Sequence, residues 1–179
     1  MKRKNVEPKT ITLYHFTSFT HLGLILNAGE LSRGDVPKTS TTGYNAVWFN
    51  NSPSIDCQMG MLMNPTADKT QIRITVELPF PFPKLYKWDK IASKIGVDKQ
   101  MYRGLDEISN HGSHHWWLFA GSIPVEIFKS IELRESKNNP YQVIDLEEST
   151  EGLEFLKNHV RGIEQVMATP VTVLPFPEL

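Results

Sequence analysis

The chain has 179 residues, of which 40% are apolar and 22% charged, the balance of one folded domain rather than of a disordered or low-complexity segment. A net charge of -1 excludes a polyanion-binding surface that relies on overall charge, and a single cysteine, Cys57, excludes a disulfide framework or a Cys-rich zinc site. No apolar run approaches the ~18 residues of a membrane-spanning helix, and the basic opening Met1 to Asn5 leads to Glu7-Pro8-Lys9 rather than to a signal-peptide core, so a soluble, cytoplasmic chain is expected.

Residues 1–9 are expected as a flexible tail and 10–179 as one domain. Thr10 to Phe16 is predicted as a strand; from Phe19 the period changes, with Leu22, Ile25 and Leu26 at helical spacing. Ser18 or Thr20 can cap a helix over Thr20 to Ala28, and Gly29 can end it in the left-handed region. His15 therefore falls where a strand meets a helix. In extended backbone His15 and Thr17 leave the same face, an imidazole and a hydroxyl able to hold a sugar diol or a polar ring substituent. The alternative is a pair of hydrogen-bonded core or surface residues.

Ser32 to Pro37 reads as a turn-rich loop, continued by polar Lys38 to Gly43. Tyr44 to Phe49 is predicted as a strand stopped by Asn50-Asn51-Ser52-Pro53, with Val47 and Phe49 as its core pair and Trp48 or Asn50 near a cleft. The Met-rich stretch Ser54 to Asn64 has no clear period, and nothing local to Cys57 lowers its pKa, which makes that thiol structural. The alternation of Ile72, Ile74, Val76 and Leu78 with Gln71, Arg73, Thr75 and Glu77 predicts a half-exposed antiparallel strand, stopped by Pro79 to Pro83. Leu85 to Lys94 is expected as a helix with Trp88 inward, and Asp98 to Ile108 is partly amphipathic.

His111, His114 and His115 precede a predicted aromatic strand, Trp116 to Phe119. They do not make a metal set, since adjacent strand residues point to opposite faces and no cysteine or carboxylate spacing completes one; no metal is expected. Pro124 and Glu126 suit a helix start, Ile131 to Leu133 returns as a strand, Glu147 to His159 reads as a helix, and Val171 to Leu174 as an edge strand.

Three stretches carry a family likeness. Tyr14-His15-Phe16-Thr17-Ser18, with His21-Leu22, Ile25-Leu26 and Gly29-Glu30-Leu31, resembles the opening strand and helix of the ADP-ribosyltransferase-like fold, in the histidine-containing subset of DNA-targeting ADP-ribosyltransferase toxins, poly-ADP-ribose polymerases and tRNA 2'-phosphotransferases. Ala46 to Pro53 looks like the second strand. Trp116 to Pro124, with Glu126 and Ile131-Glu132-Leu133, looks like the late strands. The resemblance implies an α+β fold of split antiparallel β-sheets with flanking helices and NAD as a substrate. It further implies a cofactor site drawn from His15, Phe16, Thr17, Arg33, Trp48, Asn50, His115 and Trp116, with His15 and Trp116 on opposite walls of one cleft.

The implied activity is NAD-dependent transfer of ADP-ribose to a nucleic acid or protein; the alternative is a non-catalytic NAD- or nucleotide-binding or protein-interaction module on the same fold. His15 and Thr17 would orient the nicotinamide end and Arg33 would meet a phosphate, unless it is a surface arginine beside Asp35. The chain departs from the family at the late strand, where a glutamate is usual and Trp116 to Phe119 has no acid. Glu107, placed to pair with Arg103 one helical turn away, is the preferred replacement as a catalytic carboxylate, with Asp106, Glu126 or a histidine as alternatives.

Overall fold

The first strand and helix are separated by one residue, and that residue explains the join. β1 (Thr10–Thr17) ends at Ser18, whose hydroxyl accepts the His21 N–H at 3.2 Å and caps α1 (Phe19–Ala28). Gly29 closes α1 with φ 73°, its N–H bonding the Leu26 carbonyl, a conformation that costs glycine no steric strain. The computed structural model describes residues 9–37, 42–58, 63–64, 67–136, 138–144, 172–174 and 176–177. The helix expected over Glu147 to His159 lies outside the described residues.

After α1 come β2 (Glu30–Leu31), β3 (Gly34–Pro37) and β4 (Thr42–Asn50). Ser32 to Pro37 had the composition of a loop, yet Gly34 to Pro37 pairs antiparallel with Ala46 to Gly43, because β4 offers a ladder that outweighs local turn preference. A small hairpin of β5 (Met63–Asn64) and β6 (Ala67–Asp68) leads to β7 (Ile72–Pro79). In β7 the predicted alternation holds, with Ile72, Ile74, Val76 and Leu78 all buried and Glu77 exposed. The expected helix at Leu85 to Lys94 is instead a strand, β8 (Leu85–Lys87), and one turn of helix, α2 (Trp88–Ile91); β8 is drawn into pairing by the aromatic strand. α3 (Lys99–Ile108) starts at Asp98, which accepts the Gln100 and Met101 N–H groups.

β9 (Trp116–Phe119), β10 (Ile123–Pro124), β11 (Phe128–Leu133), β12 (Gln142–Val143) and β13 (Thr172–Leu174) complete the strands. Among the described residues nine strands share one sheet, with path β12-β11-β7-β1-β4-β9-β8 and with β3 and β13 both joined to β4. Every pairing is antiparallel except that of β13 with β4, so the class is α+β with a mostly antiparallel sheet and few helices.

Both faces of the sheet are covered. Val47 and Phe49 of β4, Trp117 and Phe119 of β9, and the apolar face of β7 join Leu13, Leu22 and Ile25 under α1. Tyr44, Ala46 and Trp48, with Trp116 and Leu118, point the other way into a second core with Trp88, Ile91 and Leu105 of α2 and α3. Burial on both faces is why β9 reads as four consecutive apolar residues with no alternation.

Gly112 locks the loop before β9 to the Cys57 turn. A Cβ at position 112 would stand 2.6 Å from Cys57 Cα, where main chain cannot give way cheaply. Gly112→Ala is expected to cost about 1–3 kcal/mol in urea unfolding, and a variant as stable as the wild type would refute a tight approach here.

Candidate functional site

β1 pairs with β7 along its whole length, from Thr10 opposite Pro79 to Thr17 opposite Ile72. With β4 it pairs at a single position, Tyr14 opposite Asn50. Beyond that bridge the two strands diverge, and a cavity of about 630 Å³ occupies the region bounded by α1, β2, β3 and β4, a size that suits a nucleotide-scale ligand. His15, Thr17, His21, Glu30, Arg33 and Lys69 are among its polar side chains, with Asn27 and Ser32, and Ala46 to Trp48 lie along one wall.

His15 spans the fork. Its Nδ1 lies 2.9 Å from the Trp48 carbonyl oxygen, and a carbonyl only accepts, so Nδ1 carries the proton and Nε2 carries the lone pair. Burial, together with the nearby Lys69 ammonium and His21, lowers the imidazole pKa to about 4 against the opposing effect of the Trp48 bond. The ring is therefore neutral at pH 7, with an acceptor nitrogen that has no partner among the described residues. Its edge meets Phe49, ring centroids 6.2 Å apart, which fixes its plane.

Thr17 is buried to 4% exposure and its hydroxyl has no partner among the described residues. Phe16 turns its ring to the far side of β1, against Tyr141, so Phe16 borders the cavity with main chain. Ser18 Oγ lies 2.6 Å from His21 Nδ1, and burial with the Lys69 charge lowers the His21 pKa below its usual value. Neither Arg33 nor Lys69 forms an ion pair among the described residues, and Glu30, which accepts from the Ser32 hydroxyl at 3.3 Å, is the one carboxylate among the lining residues.

The fork thus gathers His15, Phe16, Thr17, Arg33 and Trp48 of the expected cofactor site. Trp48 contributes its wall position and carbonyl; its indole packs in the second core, 5.0 Å from the Trp88 ring and 5.4 Å from that of Trp116. Asn50 is fully buried outside the lining, its Oδ1 accepting the Ser52 N–H. Trp116 is buried in that same second core and donates its indole N–H to the Cys57 carbonyl, so it does not face His15 across the cavity. His115 is also elsewhere, its Nδ1 2.8 Å from Asn51 Oδ1.

Glu107 is an exposed residue of α3 and forms no ion pair with Arg103; it lies outside the cavity lining because α3 packs on the opposite layer from α1. Asp106 is engaged in that layer: burial would raise its pKa, but bonds from Ser113 and His111 hold it below the usual range. Arg73 and Arg134 converge on the Tyr141 ring rather than on His15. The sequence reading missed His21 and Lys69. His21 had a signal, one helical turn inside a cap beside the His15 strand, whereas Lys69 is brought in only by the fold. No family model, curated protein or solved structure matches the chain.

The lowered His15 pKa has a sign for stability. Between pH 6.5 and about 4 the unfolded chain binds the proton that the folded one refuses, so stability is full above pH 6.5 and falls as pH drops through that window. The full displacement corresponds to about 3 kcal/mol. Urea unfolding at pH 7 and pH 4 is expected to show a loss smaller by about that amount in His15→Gln; parallel losses in both proteins would reject the assignment.

Proposed function

We propose that the chain is an NAD-dependent ADP-ribosyltransferase acting on a nucleic acid or protein acceptor, with the cavity at the β1–β4 fork as its NAD site. The observation that carries this reading is the neutral His15, held by Trp48 so that its Nε2 acceptor is left beside the unpartnered Thr17 hydroxyl. An acceptor nitrogen and a hydroxyl at fixed spacing suit ribose hydroxyls, the Phe16 main chain suits the nicotinamide amide, and Arg33 suits the pyrophosphate. The mostly antiparallel α+β class and its forked sheet accord with the ADP-ribosyltransferase-like fold.

In the proposed reaction the bond between the ribose anomeric carbon and the nicotinamide nitrogen breaks, its electron pair leaving with neutral nicotinamide. A nucleophilic oxygen or nitrogen of the acceptor forms the new bond and gives up its proton. The chain's part is to hold the ribose and exclude water around a carbon that becomes oxocarbenium-like. A second reading, binding of the nucleotide without transfer, is favoured by one observation: no residue of Trp116 to Phe119 is acidic, and Glu107 is not at the cavity.

Titration calorimetry with NAD and a nicotinamide-release assay with mixed nucleic-acid and protein acceptors separate the two. NAD binding with release supports transfer; binding without release supports the module; no binding refutes both. His15→Ala is expected to weaken NAD about tenfold, the scale of one lost hydrogen bond, with the circular dichroism of a folded chain. Glu107→Gln is expected to bind and turn over as the wild type does, and a large fall in turnover would return Glu107 to the mechanism.

A further inference from the structure

α1 borders the cavity and its ten residues span about 15 Å. Its two ends carry different charges. Glu30 and Arg33 follow its C-terminal end at Gly29, whereas His21 stands in its first turn and Lys69 reaches that end from the turn before β7. The reach is anchored: Gln71 Oε1 accepts the Phe19 N–H at 3.3 Å, tying the turn that carries Lys69 to the start of the helix.

Ser18 sets what His21 offers. Its oxygen already accepts the His21 main-chain N–H at 3.2 Å, and its hydroxyl proton has one acceptor at hand, His21 Nδ1 at 2.6 Å. With the Ser18 hydroxyl as donor to Nδ1, the assignment that gives the Ser18 proton an acceptor, the imidazole carries its own proton on Nε2, the nitrogen turned away from buried Ser18. His15 and His21 are thus neutral imidazoles of opposite tautomer, the first an acceptor and the second a donor. Lys69, whose charge adds to burial in depressing both rings, has no carboxylate partner among the described residues.

We propose that His21 and Lys69 form a phosphoryl-binding subsite at the end of the cavity opposite Arg33. An N–H donor beside an unpaired ammonium suits phosphate oxygens, which accept both as charge-assisted bonds. The lone carboxylate of the lining, Glu30, stands at the other end of α1 and does not compete. The phosphoryl group belongs either to the pyrophosphate of the nucleotide, which would then lie at this end of the cavity rather than at Arg33, or to a phosphorylated acceptor. Only this choice of source rests on the NAD reading.

The test is a titration of the full chain with inorganic pyrophosphate, read from the His21 imidazole signals by NMR and from calorimetry, with adenosine as the uncharged probe. Pyrophosphate is expected to move the His21 signals while adenosine does not, and Lys69→Gln, with an unchanged urea midpoint, is expected to weaken pyrophosphate about tenfold. His21 signals unmoved by pyrophosphate, or equal affinity in Lys69→Gln, would overturn the proposal. Repeating the titration at saturating ADP-ribose assigns the source: lost pyrophosphate binding identifies the nucleotide's own phosphates, and retained binding identifies the acceptor's. Should pyrophosphate bind while NAD and ADP-ribose do not, the subsite stands and the NAD reading falls.

Discussion

The fork between β1 and β4 is the constraint on which the rest of this structure depends. A buried strand that leaves its neighbour after one bridge strands main-chain groups, and an unmet buried carbonyl costs about 1–3 kcal/mol. The His15 Nδ1–H supplies a donor to the Trp48 carbonyl across the opening. One bond therefore does two things. It satisfies a group that the open ladder exposes, and it forces the tautomer that leaves Nε2 as an acceptor beside Thr17.

The fork stays open because β4 is held from both sides of the sheet. Val47 and Phe49 are fixed in the core under α1, and Tyr44, Ala46 and Trp48 in the aromatic core under α2 and α3. Closing the gap would move both sets at once, and large aromatic groups packed on Trp88 and Trp116 do not slide without loss of contact. β1 is held as firmly on its far side by its full-length ladder with β7. The cavity thus opens where two firmly packed halves of the sheet part, with α1 and the Glu30 to Gly34 segment completing its wall.

What was legible in the sequence followed period. The two-residue repeat of Ile72 to Leu78 and the helical spacing of Leu22, Ile25 and Leu26 survive folding because each element buries one face. His15 and Thr17 were legible as a pair for the same reason, and Gly29 as the helix end because glycine takes the positive φ of such an end without strain. Gly34 to Pro37 was not, since its pairing is imposed by β4. Neither was Lys69, which reaches His21 through a contact between Gln71 and Phe19, 52 residues apart. Nearness in sequence misled in the opposite direction for Glu107: it precedes the histidine loop closely, but the sheet stands between its layer and that of α1.

The same two-faced burial bears on the acid that the resemblance leads one to seek on the late strand. Trp116 and Leu118 fill one core and Trp117 and Phe119 the other, so none of the four positions of β9 borders the cavity. A carboxylate at any of them would enter apolar surroundings unpaired, at a cost of several kcal/mol or by giving up its charge. Its lack is thus a property of a strand wholly used for packing, and putting a glutamate back there would break a core rather than complete a site. If the cavity carries out transfer, the charge that opposes a developing oxocarbenium comes from Glu30 among the described lining residues, or from the phosphates of the bound nucleotide itself.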